Sequence, residues 1–129
     1  MRALRILFIL LVPLILAAPS FAAEPQPFDA TRFEAAQRAG QPILIDIRAS
    51  WCPTCAAQQP ILDRLTAEAA FRDLVVFTVD FDSQKDIVRR FGADMQSTLI
   101  AFRGTRETGR SVGETDAAAI EKLIRSAEK

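Results

Sequence analysis

The chain's only two cysteines, Cys52 and Cys55, stand three positions apart where strand-like sequence gives way to helix-like sequence. Before them, Pro42 opens Ile43 to Arg48, an apolar run rich in β-branched residues. Such a run fits a strand covered on both faces, as in a parallel sheet. After them, Ala56 to Ala70 reads as a helix. Pro60 falls inside it and is expected to kink rather than end it, because Ile61, Leu62 and Leu65 continue the apolar face. A cysteine at such a junction sits against the helix N-terminus, where unpaired backbone N–H groups and the macrodipole stabilise a thiolate. Sites of this kind lower a cysteine pKa from about 8.5 to between roughly 3.5 and 7.5. One helical turn on, Cys55 comes round to the same sulfur, the geometry of a dithiol that opens and closes a disulfide.

The rest of the pattern alternates helix and strand. Phe28 to Ala39 reads as a helix capped by Asp29 or Thr31, with Phe33 and Ala36 facing inward and Gly40 at its end. Leu74 to Asp80 reads as a second buried strand. Ser83 is expected to cap a helix through Phe91, stopped by Gly92. Thr98 to Arg103 and Thr108 to Val112 flank a turn near Gly104 and read as a hairpin. Thr115-Asp116 starts a last amphipathic helix with Ile120, Leu123 and Ile124 on its inner face. The order α-β-α-β-α-β-β-α predicts an α/β fold with a mixed central sheet and helices on both faces. The segment before Phe28 is too short for a well-formed first edge strand.

Other uses of the two cysteines fit less well. A structural bridge stabilises mainly by closing a long loop, and two intervening residues make a short one. A structural zinc site needs four ligands, and one C-x-x-C supplies two. Histidine is absent from all 129 residues, which excludes a Cys–His catalytic pair and any histidine-based metal site.

At these residues the chain resembles the thioredoxin-like family. The matching pieces are Ile43-Leu44-Ile45-Asp46-Ile47, then Ala49-x-Trp51-Cys52-x-x-Cys55, and later Ser97-Thr98-Leu99-Ile100-Ala101-Phe102 followed by Gly104. The resemblance implies a three-layer thioredoxin-like fold and thiol–disulfide exchange without a dissociable cofactor. It implies that Cys52 attacks, that Cys55 resolves the mixed disulfide, and that Asp46 is a buried acid moving a proton to or from Cys55. Trp51, Pro53, Thr54, Gln96, Ser97 and Thr98 would form the surface that meets the substrate. The pair Pro53-Thr54 is similar to that of exported reductants of cytochrome c maturation. Two departures stand out. Thr78 occupies the place where the family often has a lysine near the buried acid. Ser97 occupies the place of a cis-proline, and a cis bond before a non-proline residue costs about 2.5–4 kcal/mol, so a trans bond is expected. On this reading a proline at position 97 would be accepted.

The N-terminus carries its own pattern. Arg2 and Arg5 precede an apolar stretch from Ile6 to Ala18, broken by Pro13, and Ser20-Phe21-Ala22 offers small residues for cleavage. This is a secretory signal pattern, so residues 1–22 are expected to be a signal peptide and 23–129 the thioredoxin-like domain. The competing reading is an uncleaved anchor in the inner membrane. Cleavage removes two of sixteen basic residues and none of sixteen acidic ones, leaving a net charge of −2 and no basic patch for nucleic acid. The expectation is a periplasmic monomer exchanging its Cys52–Cys55 disulfide with cysteine pairs of other exported proteins, served by a membrane or exported redox partner. Reductant is slightly favoured over oxidant. The rival is a non-catalytic module of the same fold that holds a metal or docks a partner.

Overall fold

The strand Pro42–Arg48 is buried along nearly its whole length, and the other elements are arranged about it. The computed structural model describes residues 23–129; the expected signal peptide lies outside the described residues. In chain order the elements are β1 (Gln26–Pro27), α1 (Ala30–Arg38), β2 (Pro42–Arg48), α2 (Pro53–Thr66), β3 (Val75–Asp80), α3 (Lys85–Arg90), β4 (Thr98–Arg103), β5 (Arg106–Val112) and α4 (Ala117–Ser126). A 3-10 turn at Ala69–Phe71 follows α2. The five strands form one sheet in the order β1-β3-β2-β4-β5. β1 and β2 run parallel to β3, while β4 is antiparallel to both β2 and β5.

Side-chain alternation along β2 divides the core into two layers. Ile43, Ile45 and Ile47 point to one side, with Phe33 of α1, Phe77 of β3, Val88 of α3 and Phe102 of β4. The phenylalanines of that layer interlock around Phe33, whose ring centroid lies 5.4–5.9 Å from those of Phe28, Phe77, Phe91 and Phe102. Leu44 points to the other side, against Leu62 and Leu65 of α2 and Ile120 and Ile124 of α4. Asp46 and Arg48 follow Leu44 at the strand period, so they too face α2.

Most expected elements are present with shifted ends, and three details differ. The chain before Phe28 does form a strand, two residues long, held by Phe28 N–H to the Thr78 carbonyl (2.9 Å) and the Thr78 hydroxyl to the Gln26 carbonyl (3.3 Å). Ser83 does not cap α3. Its N–H and hydroxyl both donate to Asp80 Oδ1, and α3 starts after Gln84 with no side-chain cap. An Asx-type turn has taken the serine that a helix would use. The helix expected over Ala56 to Ala70 starts earlier, at Pro53, and ends earlier, at Thr66; as expected, Pro60 does not end it.

Candidate active site

The C-terminal end of β2 delivers the chain into Ala49-Ser50-Trp51, and Cys52 is the N-cap of α2 in extended conformation (φ −88°, ψ 110°). Pro53 takes the first helical position, where its missing N–H costs nothing and its fixed φ suits the helix. The capping atom is sulfur: Cys52 Sγ accepts the N–H of Cys55 at 3.1 Å. The two residues are joined as a disulfide, with Cα atoms 5.3 Å apart. Both are equally buried, at 3% exposure, whereas the place of Cys52 at the helix N-terminus leads one to expect it partly exposed and Cys55 deeper. The bond and the Cys55 N–H hold the Cys52 sulfur against the first turn, among Ala49 and Phe81. Access is through an open cleft of about 370 Å³ between β2 and α2, lined by both cysteines, Arg48, Ser50, Gln59 and Asp80 among others.

Asp46 is buried beneath α2, at 2% exposure. Its Oδ2 accepts from Gln59 Nε2 at 3.1 Å and lies 3.8 Å from Arg48 Nη1, while Oδ1 has no hydrogen-bond partner. Burial pushes the carboxyl above its ordinary 3.8, the Gln59 hydrogen bond and Arg48 charge oppose this, and Asp63 adds to it. Thr78 stands opposite Asp46 in the register of β3, as the sequence indicates, and brings no charge.

The Ser97 loop is held against α2 one turn beyond Cys55. Gln58, fully buried, donates through Nε2 to the carbonyls of Ser97 (3.3 Å) and Glu114 (2.8 Å). No cis peptide bond occurs among the described residues, so Gln96–Ser97 is trans, and Ser97 has φ +56°. That left-handed conformation costs a non-glycine residue about 1–2 kcal/mol. Proline, fixed near φ −65°, does not fit this backbone, so it could be accepted at position 97 only with a reshaped loop. The Ser97 hydroxyl donates to the Gln96 carbonyl at 2.5 Å, and the Thr98 hydroxyl to the Met95 carbonyl at 2.6 Å.

The cleft that reaches the disulfide is lined by none of the other expected residues, Trp51, Pro53, Thr54, Gln96, Ser97 or Thr98. Thr54 and Gln96 are half-buried and Pro53 is exposed. Trp51 is 58% exposed, and its indole N–H donates to Asp82 Oδ2 at 2.6 Å. Gln58, Gln59 and Asp82 escaped the sequence reading. The two glutamines had a visible signal, polar side chains three and four residues after Cys55 on a helix that must pack on the sheet. Among the described residues there is no group of three or more metal-ligating side chains placed to hold an ion, and no helix long and apolar enough to cross a membrane.

A dithiol couple at a helix N-cap, on a five-stranded mixed sheet with helices on both faces, defines a thioredoxin fold with a redox-active centre. The Thioredoxin family model matches residues 25–126. The thioredoxin of Chlamydia muridarum is 34% identical over 82 residues, which cover 64% of this chain and 78% of that protein. Among solved structures, Trxlp from Edwardsiella tarda superposes with a TM-score of 0.76 at 42% identity, covering 78% of this chain and 98% of that one. Mitochondrial thioredoxin 3 of Saccharomyces cerevisiae, in its oxidised form, gives 0.63 at 26% identity, covering 74% and 87%. The chain therefore belongs to the thioredoxin family, and its activity is thiol–disulfide exchange.

Two outcomes follow from these contacts. Gln58→Leu deletes both donors to the loop carbonyls but also removes Oε1, a buried acceptor without a partner. The losses exceed the gain, and urea unfolding should show a destabilisation of about 1 kcal/mol; an unchanged midpoint would mean that the clasp holds nothing. For Asp46, a folded-state pKa above the unfolded value means stability fully present below 3.8 and lost as pH rises through the folded value. Asp46→Asn should therefore be more stable than wild type at pH 7, with the advantage shrinking towards about pH 4. Thermal unfolding of the oxidised proteins at the two pH values checks this.

Proposed function

We propose that the protein works outside the cytoplasm, reducing disulfides of other exported proteins, with Cys52 as nucleophile and Cys55 as resolving thiol. The observation that carries the assignment of roles is the hydrogen bond from Cys55 N–H to Cys52 Sγ at the start of α2. In the dithiol form the same donor and the helix N-terminus favour a thiolate on Cys52. That thiolate attacks one sulfur of a substrate disulfide, forming a mixed disulfide and releasing a substrate thiolate. Cys55 gives its proton to Asp46 and attacks Cys52 Sγ, releasing the second substrate thiolate and leaving the Cys52–Cys55 disulfide. Trp51, Pro53 and Thr54, with the Gln96-Ser97-Thr98 loop, form the surface on which the substrate lies. A redox partner in or beyond the membrane then returns two electrons to the disulfide.

Export rests on the arginines at 2 and 5, the short apolar stretch broken by Pro13, and Ser20-x-Ala22. Reduction as the working direction rests on the resemblance of Pro53-Thr54 to exported reductants.

Cys52→Ser is expected to abolish exchange, and Cys55→Ser to accumulate a mixed disulfide with substrate. Alkylation of the reduced protein at neutral pH should label Cys52 first. Faster labelling of Cys55 would reverse the roles. Intact-mass measurement on protein from its native compartment should find Ala23 at the N-terminus. A full-length chain in the membrane fraction would mean that residues 1–22 are an anchor.

A further inference from the structure

The buried acid has an unusual set of neighbours. Its cation does not come from the adjacent strand, where Thr78 stands, but from Arg48, two residues along β2 itself. Arg48 Nη1 lies 3.8 Å from Asp46 Oδ2 but only 2.6 Å from Gln59 Oε1. Gln59 Nε2 in turn lies 3.1 Å from Asp46 Oδ2. Arg48 is 38% exposed at its side chain and lines, with Gln59, the cleft that reaches both cysteines.

A guanidinium has only donors, whereas a side-chain amide has a donor end and an acceptor end. With Arg48 beside it, Gln59 must turn its oxygen to Arg48 and its nitrogen to Asp46. The opposite orientation would set the amide N–H groups against the guanidinium. It would also present an oxygen to Asp46, which satisfies a protonated carboxyl but repels a carboxylate. Arg48 thus selects the amide orientation that favours ionised Asp46. The other groups facing Asp46 do not replace this effect. Thr78 on β3 and Leu99 on β4 are neutral, and Asp63 on α2 works against ionisation.

We propose that Arg48 and Gln59 are positioning residues: Arg48 locks the Gln59 amide, and the locked amide sets the proton affinity of the carboxyl that serves Cys55. This rests on the exchange reaction above in its last clause only. Arg48 acts mainly through Gln59 rather than as a bare charge.

The test is a titration of Asp46 by carboxyl carbon NMR in the oxidised full chain, where neither cysteine titrates. Wild type is compared with Arg48→Met, Gln59→Leu, the double variant and Arg48→Lys. Both single substitutions should move the midpoint upward. The double variant should move it little further than Gln59→Leu alone, and Arg48→Lys, which keeps a charged donor, should restore most of the wild-type value. Exchange by Gln59→Leu should be roughly three- to tenfold slower at neutral pH, with its rate–pH profile displaced in step with the midpoint. An unmoved midpoint in Gln59→Leu overturns the proposal. Additive shifts in the double variant overturn the lock, since Arg48 would then act as a plain charge. A moved midpoint with an unmoved pH profile in an active enzyme overturns the service to Cys55. Gln59→Met repeats the measurement should the leucine variant fail to fold. A midpoint that moves in a protein with no exchange activity would leave the network standing and sink the exchange reading instead.

Discussion

The helix that carries the redox couple is capped by its own reactive atom. Most helices satisfy their first N–H groups with an oxygen from serine, threonine or aspartate. Here a sulfur accepts the Cys55 N–H at the start of α2. Cap and chemistry are therefore one feature. Oxidation ties that sulfur to the residue whose N–H it accepts, and reduction leaves the helix N-terminus to favour a thiolate. The position of α2 on the sheet then decides everything around the couple. Its apolar face meets Leu44, its Gln59 meets Asp46, and its Gln58 meets the Ser97 loop.

The parts legible in the sequence were those written in local order. The alternation of Ile43, Ile45 and Ile47 against Leu44 and Asp46 marks a strand covered on both faces, and the two core layers follow it. The paired cysteines at the end of that strand mark the helix N-terminus. What sequence did not reveal depended on partners far along the chain. Gln58 reads as a polar residue on a helix until its partner, 39 residues away, is known. β1 has two residues, too few to show any period, and exists because β3 offers it a free edge. Ser83 had two uses open to it, and the nearby Asp80 carboxylate decided between them. The equal burial of the two cysteines depends on how α2 packs on the sheet, which no local sequence pattern encodes.

Position 97 shows how one fold meets a single requirement by different means. The resemblance leads one to expect a proline whose ring stiffens this loop. The chain instead has a serine in a left-handed conformation, a hydroxyl turned back on the preceding carbonyl, and a buried glutamine holding the residue's own carbonyl. Rigidity that a ring would supply covalently is supplied here by hydrogen bonds, some from a helix distant in sequence. The conformational strain at Ser97 persists only because these contacts outweigh it.

The Gln58 amide holds two carbonyls at once, that of Ser97 ahead of β4 and that of Glu114 ahead of α4. Gly113 closes the same knot, its N–H donating to the Ser97 carbonyl at 2.9 Å. The Ser97 loop, the far end of the β4–β5 hairpin and the entrance to the last helix are therefore pinned to α2 at one point. Any displacement of Ser97 pulls on the hairpin and on α4 as well. The C-terminal quarter of the molecule thus serves as the loop's mechanical ground.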